Sequence, residues 1–228
     1  MRRILRIFGV AMITAGSVIL IDAGLTLAWK EPVSSIYGAI QQDQAAQELE
    51  ELEGDFAAQI DPERIDEGAS LEKQAAQLAR QFARQAPKGE GIGRVMIPSI
   101  GVDYVFLNGT DTATLQRGPG RYEDTAFPGQ GRTIGIAGHR TTYLAPFRKI
   151  NDVADGDEIV VEMPYGTFTY EVERSEIVKP TDVEIVDDIG SELLVLTACH
   201  PLYSAKERYA TFARLTDIEL GPARSQPD

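Results

Sequence analysis

Leu193-Leu194-Val195-Leu196-Thr197-Ala198-Cys199-His200-Pro201, continued through Leu202 to Arg208-Tyr209, is the stretch on which the fold turns. A branched aliphatic run bounded by turn residues reads as a buried strand, and it ends in the chain's single cysteine, Cys199. Pro201 biases His200 away from helical backbone, so the strand leaves the sheet there and Cys199 stands at a rim. Arg208 opens a second run to Leu215, in which Tyr209, Thr211, Ala213 and Leu215 alternate with other residues as a strand between two environments does. A return connection brings Arg208 beside Cys199. A thiol and a guanidinium at one end of neighbouring strands are two parts of a covalent acyl-transfer site, because a thiolate attacks a carbonyl and a cation steadies the oxyanion. A histidine would be the third.

The chain has 228 residues and a net charge of −13, with a pI near 4.6. That leaves room for one ordinary domain plus extra segments. So acidic a protein lacks the clustered Lys and Arg that a nucleic-acid surface needs. One cysteine forbids an internal disulfide and any multi-cysteine zinc site, and two histidines offer little else. No cofactor or metal is expected.

The amino terminus breaks with the acidic average. Arg2, Arg3 and Arg6 precede an apolar stretch from Ile7 to Trp29 that is interrupted by one charge, Asp22. At about 1.5 Å per residue this length crosses a hydrocarbon core of about 30 Å. A signal peptide shares the basic start, but its apolar region is usually about 7–15 residues, and Thr26-Leu27-Ala28 makes a weak cleavage site. Basic residues before the span and Glu31 after it put residues 1–6 in the cytoplasm, with Trp29 and Lys30 at the far interface. Asp22, in the outer third, reads as a tolerated polar residue. The bulk of the chain is expected outside the membrane.

Residues 30–88 are rich in Ala, Gln and Glu, which is helix-forming material. Leu49, Leu52, Phe56 and Ile60 make one apolar seam, and Leu71, Ala75, Leu78 and Phe82 another. Asp61-Pro62-Glu63 resembles a helix start, and Gly68-Ala69-Ser70 is a further break. The expectation is two or three helices forming a solvated stalk. A partner-binding coiled coil and a seam docked on the following domain are the alternatives.

From about residue 89 to 217 the period becomes extended. Gly93–Ile97, Tyr104–Leu107, Thr133–Ala137, Glu158–Met163, Thr167–Glu173, Leu193–Thr197 and Tyr209–Leu215 read as strands, with a hairpin around Pro164-Tyr165-Gly166. Short helical turns are expected near Ala113–Gln116 and Ala145–Ile150, and residues 218–228 as a tail. Many short strands between Gly and Pro turns indicate a sandwich or barrel. His139 ends the apolar run Thr133 to Gly138, as Cys199 ends its own. The competitor His200 adjoins Cys199 on an extended segment and so points to the opposite face, which favours His139.

These residues resemble the sortases, membrane-anchored cysteine transpeptidases of Gram-positive bacteria. Thr197-Ala198-Cys199 ahead of Arg208 is similar to the family's T-x-C and downstream arginine, and Ala137-Gly138-His139-Arg140 to its histidine segment. Gly138 to Tyr143, Ala145-Pro146-Phe147, Cys199-His200-Pro201 and Ser204-Ala205 resemble class E in particular. The resemblance implies an all-β fold, a closed eight-stranded barrel with short helices, behind a helical stalk and an amino-terminal transmembrane helix. It implies Cys199 as nucleophile, His139 as general acid/base and Arg208 as the oxyanion or substrate cation, with Tyr122, Thr197 and Ala198 near the substrate. It further implies cleavage of a Thr-Gly bond in a carboxy-terminal LPXTG- or LAXTG-like signal of secreted proteins, and transfer to an amine of a peptidoglycan precursor or a pilin lysine. No acidic cluster matches the calcium site of some class A members. A water-using cysteine peptidase and a non-catalytic, membrane-tethered wall-binding domain are the competing functions.

Overall fold

The computed structural model describes residues 2–28, 32–61, 65–66 and 68–221. Trp29, Lys30, Glu31, Pro62, Glu63 and the last seven residues of the expected tail lie outside them, as does the side chain of Asp22. The elements run α1 (Arg2–Ala28), α2 (Pro32–Gln59), α3 (Leu71–Ala83), β1 (Gly91–Ile97), β2 (Val102–Asn108), α4 (Thr112–Arg117), β3 (Gly120–Arg121), β4 (Thr133–Gly138), β5 (Glu158–Met163), β6 (Gly166–Val178), β7 (Leu193–His200) and β8 (Glu207–Leu220).

The strands close into a barrel in the order β1-β2-β3-β4-β7-β8-β6-β5. The fold implied by the resemblance is therefore present, with β3 as the eighth strand. At two residues β3 is too short to show any periodicity, yet it pairs parallel to β2 and antiparallel to β4. The β5–β6 hairpin turns at Pro164-Tyr165, with Met163 opposite Gly166. β8 runs to Leu220, three residues past the expected boundary at 217, because it keeps pairing with β6 as far as Gly166.

β7 explains its own sequence. A strand covered on both faces reads as a continuous apolar run. Leu194, Leu196 and Ala198 enter the main core, whereas Leu193 and Val195 join Ala210 and Phe212 in a second cluster. Val178 at the end of β6, with Ile185 and Val186 of the β6–β7 connection, covers that second cluster.

The amino-terminal segments differ from each other. α1 is long and apolar enough to cross a membrane by length and composition, and its described apolar side chains, among them Ile7, Phe8 and Ile13, are exposed. α2 and α3 lie on the barrel, so the solvated-stalk expectation is corrected in favour of docked seams. Ala45, Leu49 and Phe56 of α2 are buried, as are Ala75, Leu78, Ala79 and Phe82 of α3. Phe56 and Phe82 meet edge to face at 5.5 Å, and both contact Tyr165 of the β5–β6 turn. Burying a phenyl ring stabilises by about 1.5–3 kcal/mol, which a free stalk would forgo. Gln42 of α2 stands in for a strand neighbour at Val105, accepting its N–H at 2.9 Å and donating to its carbonyl at 2.9 Å. The helix comes this close because Gly91 and Gly118 lack side chains: a Cβ at Gly91 would lie 2.2 Å from the Ala45 carbonyl oxygen.

Candidate functional site

Two strand registers assemble the site. β7 and β8 are antiparallel with Cys199 opposite Arg208. Directly opposed residues share a face, with Cβ atoms about 4.5–5.5 Å apart. β4 and β7 are parallel with Gly138 beside Ala198, so His139 leaves β4 level with Cys199. Cys199, His139 and Arg208 thus gather at one rim, and each is partly exposed.

His139 is held from below. Gly138 is needed because the Phe147 ring would lie 2.5 Å from a Cβ there, and the Phe147 N–H donates to the His139 carbonyl at 3.0 Å. The imidazole lies 5.4 Å from the Tyr143 ring, which in turn meets Tyr37 of α2 at 6.2 Å. Burial pushes the His139 pKa below its usual 6.5, since a desolvated imidazolium is costly. The loop beyond is wound through left-handed backbone at Tyr143, Leu144 and Ala145 (φ 49°, 65° and 47°), a conformation that costs side-chain-bearing residues energy and clusters at functional sites.

Arg208 donates from one guanidinium nitrogen to the carbonyls of Ala205 (3.1 Å) and Glu207 (3.0 Å). Among the described residues it forms no ion pair, so the fork remains available to an incoming anion.

A groove of about 450 Å³ on this face is lined by Tyr122, Thr125, Thr197 and Arg208, by Thr110 and Glu123, and by Lys179, Pro180, Asp182, Val183, Ile185 and Val186 of the β6–β7 connection. Tyr122 and Thr197 share a hydroxyl hydrogen bond of 2.8 Å. Thr197 is two residues before Cys199 and therefore on its face. Tyr122 is positioned by Arg121, whose guanidinium donates to the carbonyls of Tyr122 and Thr125 and to Asn108 Oδ1, and stacks 4.0 Å over Phe127. Burial pushes the Arg121 pKa down to about 10, so it stays charged at neutral pH.

Two residues face away from the groove. Ala198, expected near substrate, is buried in the main core, because alternation turns its methyl inward. His200 has its Nδ1 3.2 Å from Arg140 NH1 and its ring 6.0 Å from Tyr209, on the far side of the strand from the Cys199 side chain. Since a guanidinium only donates, Nδ1 of His200 is the acceptor in this contact.

Sequence reasoning assigns no role to Arg140, Arg121 or Glu192. Arg140 is buried and reaches the Cys199 carbonyl at 3.2 Å. Glu192, just before β7, accepts the N–H groups of Gly129 and Gly131 at 2.7 Å each and the Tyr170 hydroxyl at 2.8 Å. The one sequence signal was position, since both flank strands already singled out. Among the described residues no group of three or more His, Cys, Asp or Glu is placed to hold a metal ion.

Comparisons agree with this fold. A family model for the sortase domain matches residues 95–216. Sortase D of Bacillus subtilis is 32% identical over 151 residues, covering 64% of this chain and 75% of that protein. Sortase SrtE1 of Streptomyces coelicolor is 29% identical over 156 residues, covering 61% of this chain but 44% of its own longer chain. Among solved structures, sortase E from Streptomyces avermitilis superposes with a TM-score of 0.55 at 31% identity, covering 59% of this chain and 93% of that one.

Proposed function

This chain belongs to the sortase family of cysteine transpeptidases, with class E among its near relatives, and on that premise we propose that it is a membrane-anchored enzyme that cleaves a Thr-Gly bond in a carboxy-terminal LAXTG- or LPXTG-like signal and passes the acyl-threonine to an amine. The observation that carries the reading is the double register that puts Cys199 opposite Arg208 and level with the end of β4 at His139.

In this mechanism the Cys199 thiolate attacks the threonine carbonyl carbon, and the carbonyl electron pair moves onto oxygen beside Arg208. Collapse breaks the C–N bond, and His139, which enters the step as the imidazolium, gives its proton to the leaving glycine amine, leaving a thioester on Cys199 and a neutral imidazole. An incoming amine, from a peptidoglycan precursor or a pilin lysine, loses a proton to His139 and attacks the thioester. A new amide forms and the thiolate leaves. Tyr122 and Thr197 face the groove where the signal would lie, and their hydroxyl pair bears on its second residue. Residues 7–29 anchor the chain with residues 1–6 in the cytoplasm, and residues 89–217 hold the catalytic barrel outside the membrane.

The test is incubation of the full-length protein in detergent micelles with LAXTG and LPXTG peptides, with and without a glycine-based amine. A Cys199-dependent ligated product supports the proposal. Cleavage indifferent to amine makes the protein a peptidase, and an inert thiol in folded protein makes it a binding domain.

A further inference from the structure

A buried cation with no carboxylate partner among the described residues lies under Cys199. Arg140 is 3% exposed and follows His139 directly. NH1 donates to the Cys199 carbonyl at 3.2 Å and to His200 Nδ1 at 3.2 Å, and NH2 donates to Asn151 Oδ1 and to the Arg148 carbonyl at 3.5 Å. None of these acceptors is a carboxylate, and Nε is buried with no hydrogen-bond partner among the described residues. Asn151 separates the guanidinium from the nearest acid, since its own amide donates to Asp152 Oδ1 at 2.7 Å.

That construction is costly. Burying a charge without a counter-ion forfeits solvation that neutral dipoles only partly replace, and proteins ordinarily pair such a group. The same position held by an apolar side chain would join the strand ends without the cost. What the cation adds is charge, in a place of low dielectric beside a group whose reactive form is an anion. The charged and titratable groups facing Arg140 are Asp152, Arg148, Tyr209, His200 and Cys199.

We propose that Arg140 is a positioning residue for the acyl transfer: it ties the Cys199 end of β7 to the His139 end of β4, and its buried positive charge favours the thiolate. The inference rests on Cys199 being the nucleophile. The first function is geometric, because one guanidinium bonds the backbone of the residue it must hold while its own backbone continues from His139. The second is electrostatic, and it acts on Cys199, which faces the guanidinium.

The test uses the full chain in detergent with Arg140→Gln, Arg140→Lys and Asn151→Asp. Asn151→Asp gives the guanidinium a carboxylate and gives up the amide bond to Asp152, so it alters the charge facing Arg140 while leaving the Arg140 bond to the Cys199 carbonyl in place. Thiol ionisation is read as the pH midpoint of Cys199 alkylation by iodoacetamide, and positioning as the single-turnover rate of thioester formation. Asn151→Asp is expected to raise the alkylation midpoint by about half a pH unit, and Arg140→Gln by about one. Arg140→Gln should slow thioester formation by about 100-fold with KM within about twofold, and Arg140→Lys should recover the midpoint without the rate. Unchanged midpoints in Asn151→Asp and in a folded Arg140 variant, with acylation within about threefold of the parent, overturn the proposal. If Arg140→Gln does not fold, the Asn151→Asp midpoint decides alone. A parent protein whose thiol alkylates yet forms no thioester with any signal peptide refutes the transpeptidase reading, while the midpoint shifts still decide the role of Arg140.

Discussion

The two ends of β7 are each pinned by a buried charge, and they are built to opposite purposes. At the Leu193 end, Glu192 takes hydrogen bonds from Gly129, Gly131 and Tyr170, and so locks the loop before β4 to the core. At the Cys199 end, among the described residues, Arg140 holds acceptors none of which is a carboxylate, Arg208 holds only backbone carbonyls, and the Cys199 and His139 residues are partly exposed. One end spends its polar groups on being satisfied; the other leaves charge unanswered where the proposed reaction would form an anion. A single strand thus separates stability from reactivity, and substitutions should respect the division.

The largest effect expected at the reactive end is that of Arg208→Lys. A point charge replaces a planar fork, and acyl transfer should fall by about 10²–10³-fold while the unfolding free energy stays within about 0.5 kcal/mol. Single-turnover kinetics beside chemical denaturation check it. A large stability loss would break the division.

At the other end, Glu192→Ala should cost about 1–3 kcal/mol by leaving the Gly129 and Gly131 N–H groups unanswered, with thioester formation per folded molecule retained. Urea unfolding and active-site titration of the same sample test both halves.

Tyr122→Phe removes the hydroxyl bonded to Thr197 and leaves the ring. About 0.5–1.5 kcal/mol is at stake, so kcat/KM for the favoured signal should fall by up to about tenfold. Competition between LAXTG and LPXTG peptides should show a changed preference; an unchanged ratio would make the hydroxyl pair purely structural.

The smallest effect is one of shape. Burial raises the Glu192 pKa despite the three donors, so the folded state holds this proton more tightly than the unfolded one. The stabilisation from that proton is complete below the unfolded value of about 4.3 and is lost as pH rises through the folded value. Glu192→Gln cannot titrate, so its stability deficit against the parent should narrow over that rise. A gap that widened instead would mean that the donors outweigh burial.

This division also shows what the sequence could convey. That Cys199, His139 and Arg208 meet at one rim was legible because each ends or opens an apolar run, and strand alternation then fixed which neighbours share a face. The same alternation argues against Ala198 as a substrate contact, since it adjoins Cys199 and must turn inward. β3 escaped notice because two residues have no period. The seams of α2 and α3 were visible, but an apolar seam does not name what covers it; Gly91 and Gly118, the close-approach points, read equally well as turns. Arg140 and Glu192 were opaque for a related reason. Nothing local marks a charged residue as buried, because its burial is decided by strands distant in sequence.

The most direct measurement is the intact mass of the full-length protein after incubation with an LAXTG peptide without amine, in the parent and in Cys199→Ala. The account predicts a hydroxylamine-labile adduct of the acyl fragment on the parent alone, with both proteins equally folded. The same adduct on Cys199→Ala, or its absence from a folded parent across LAXTG and LPXTG peptides, would contradict it.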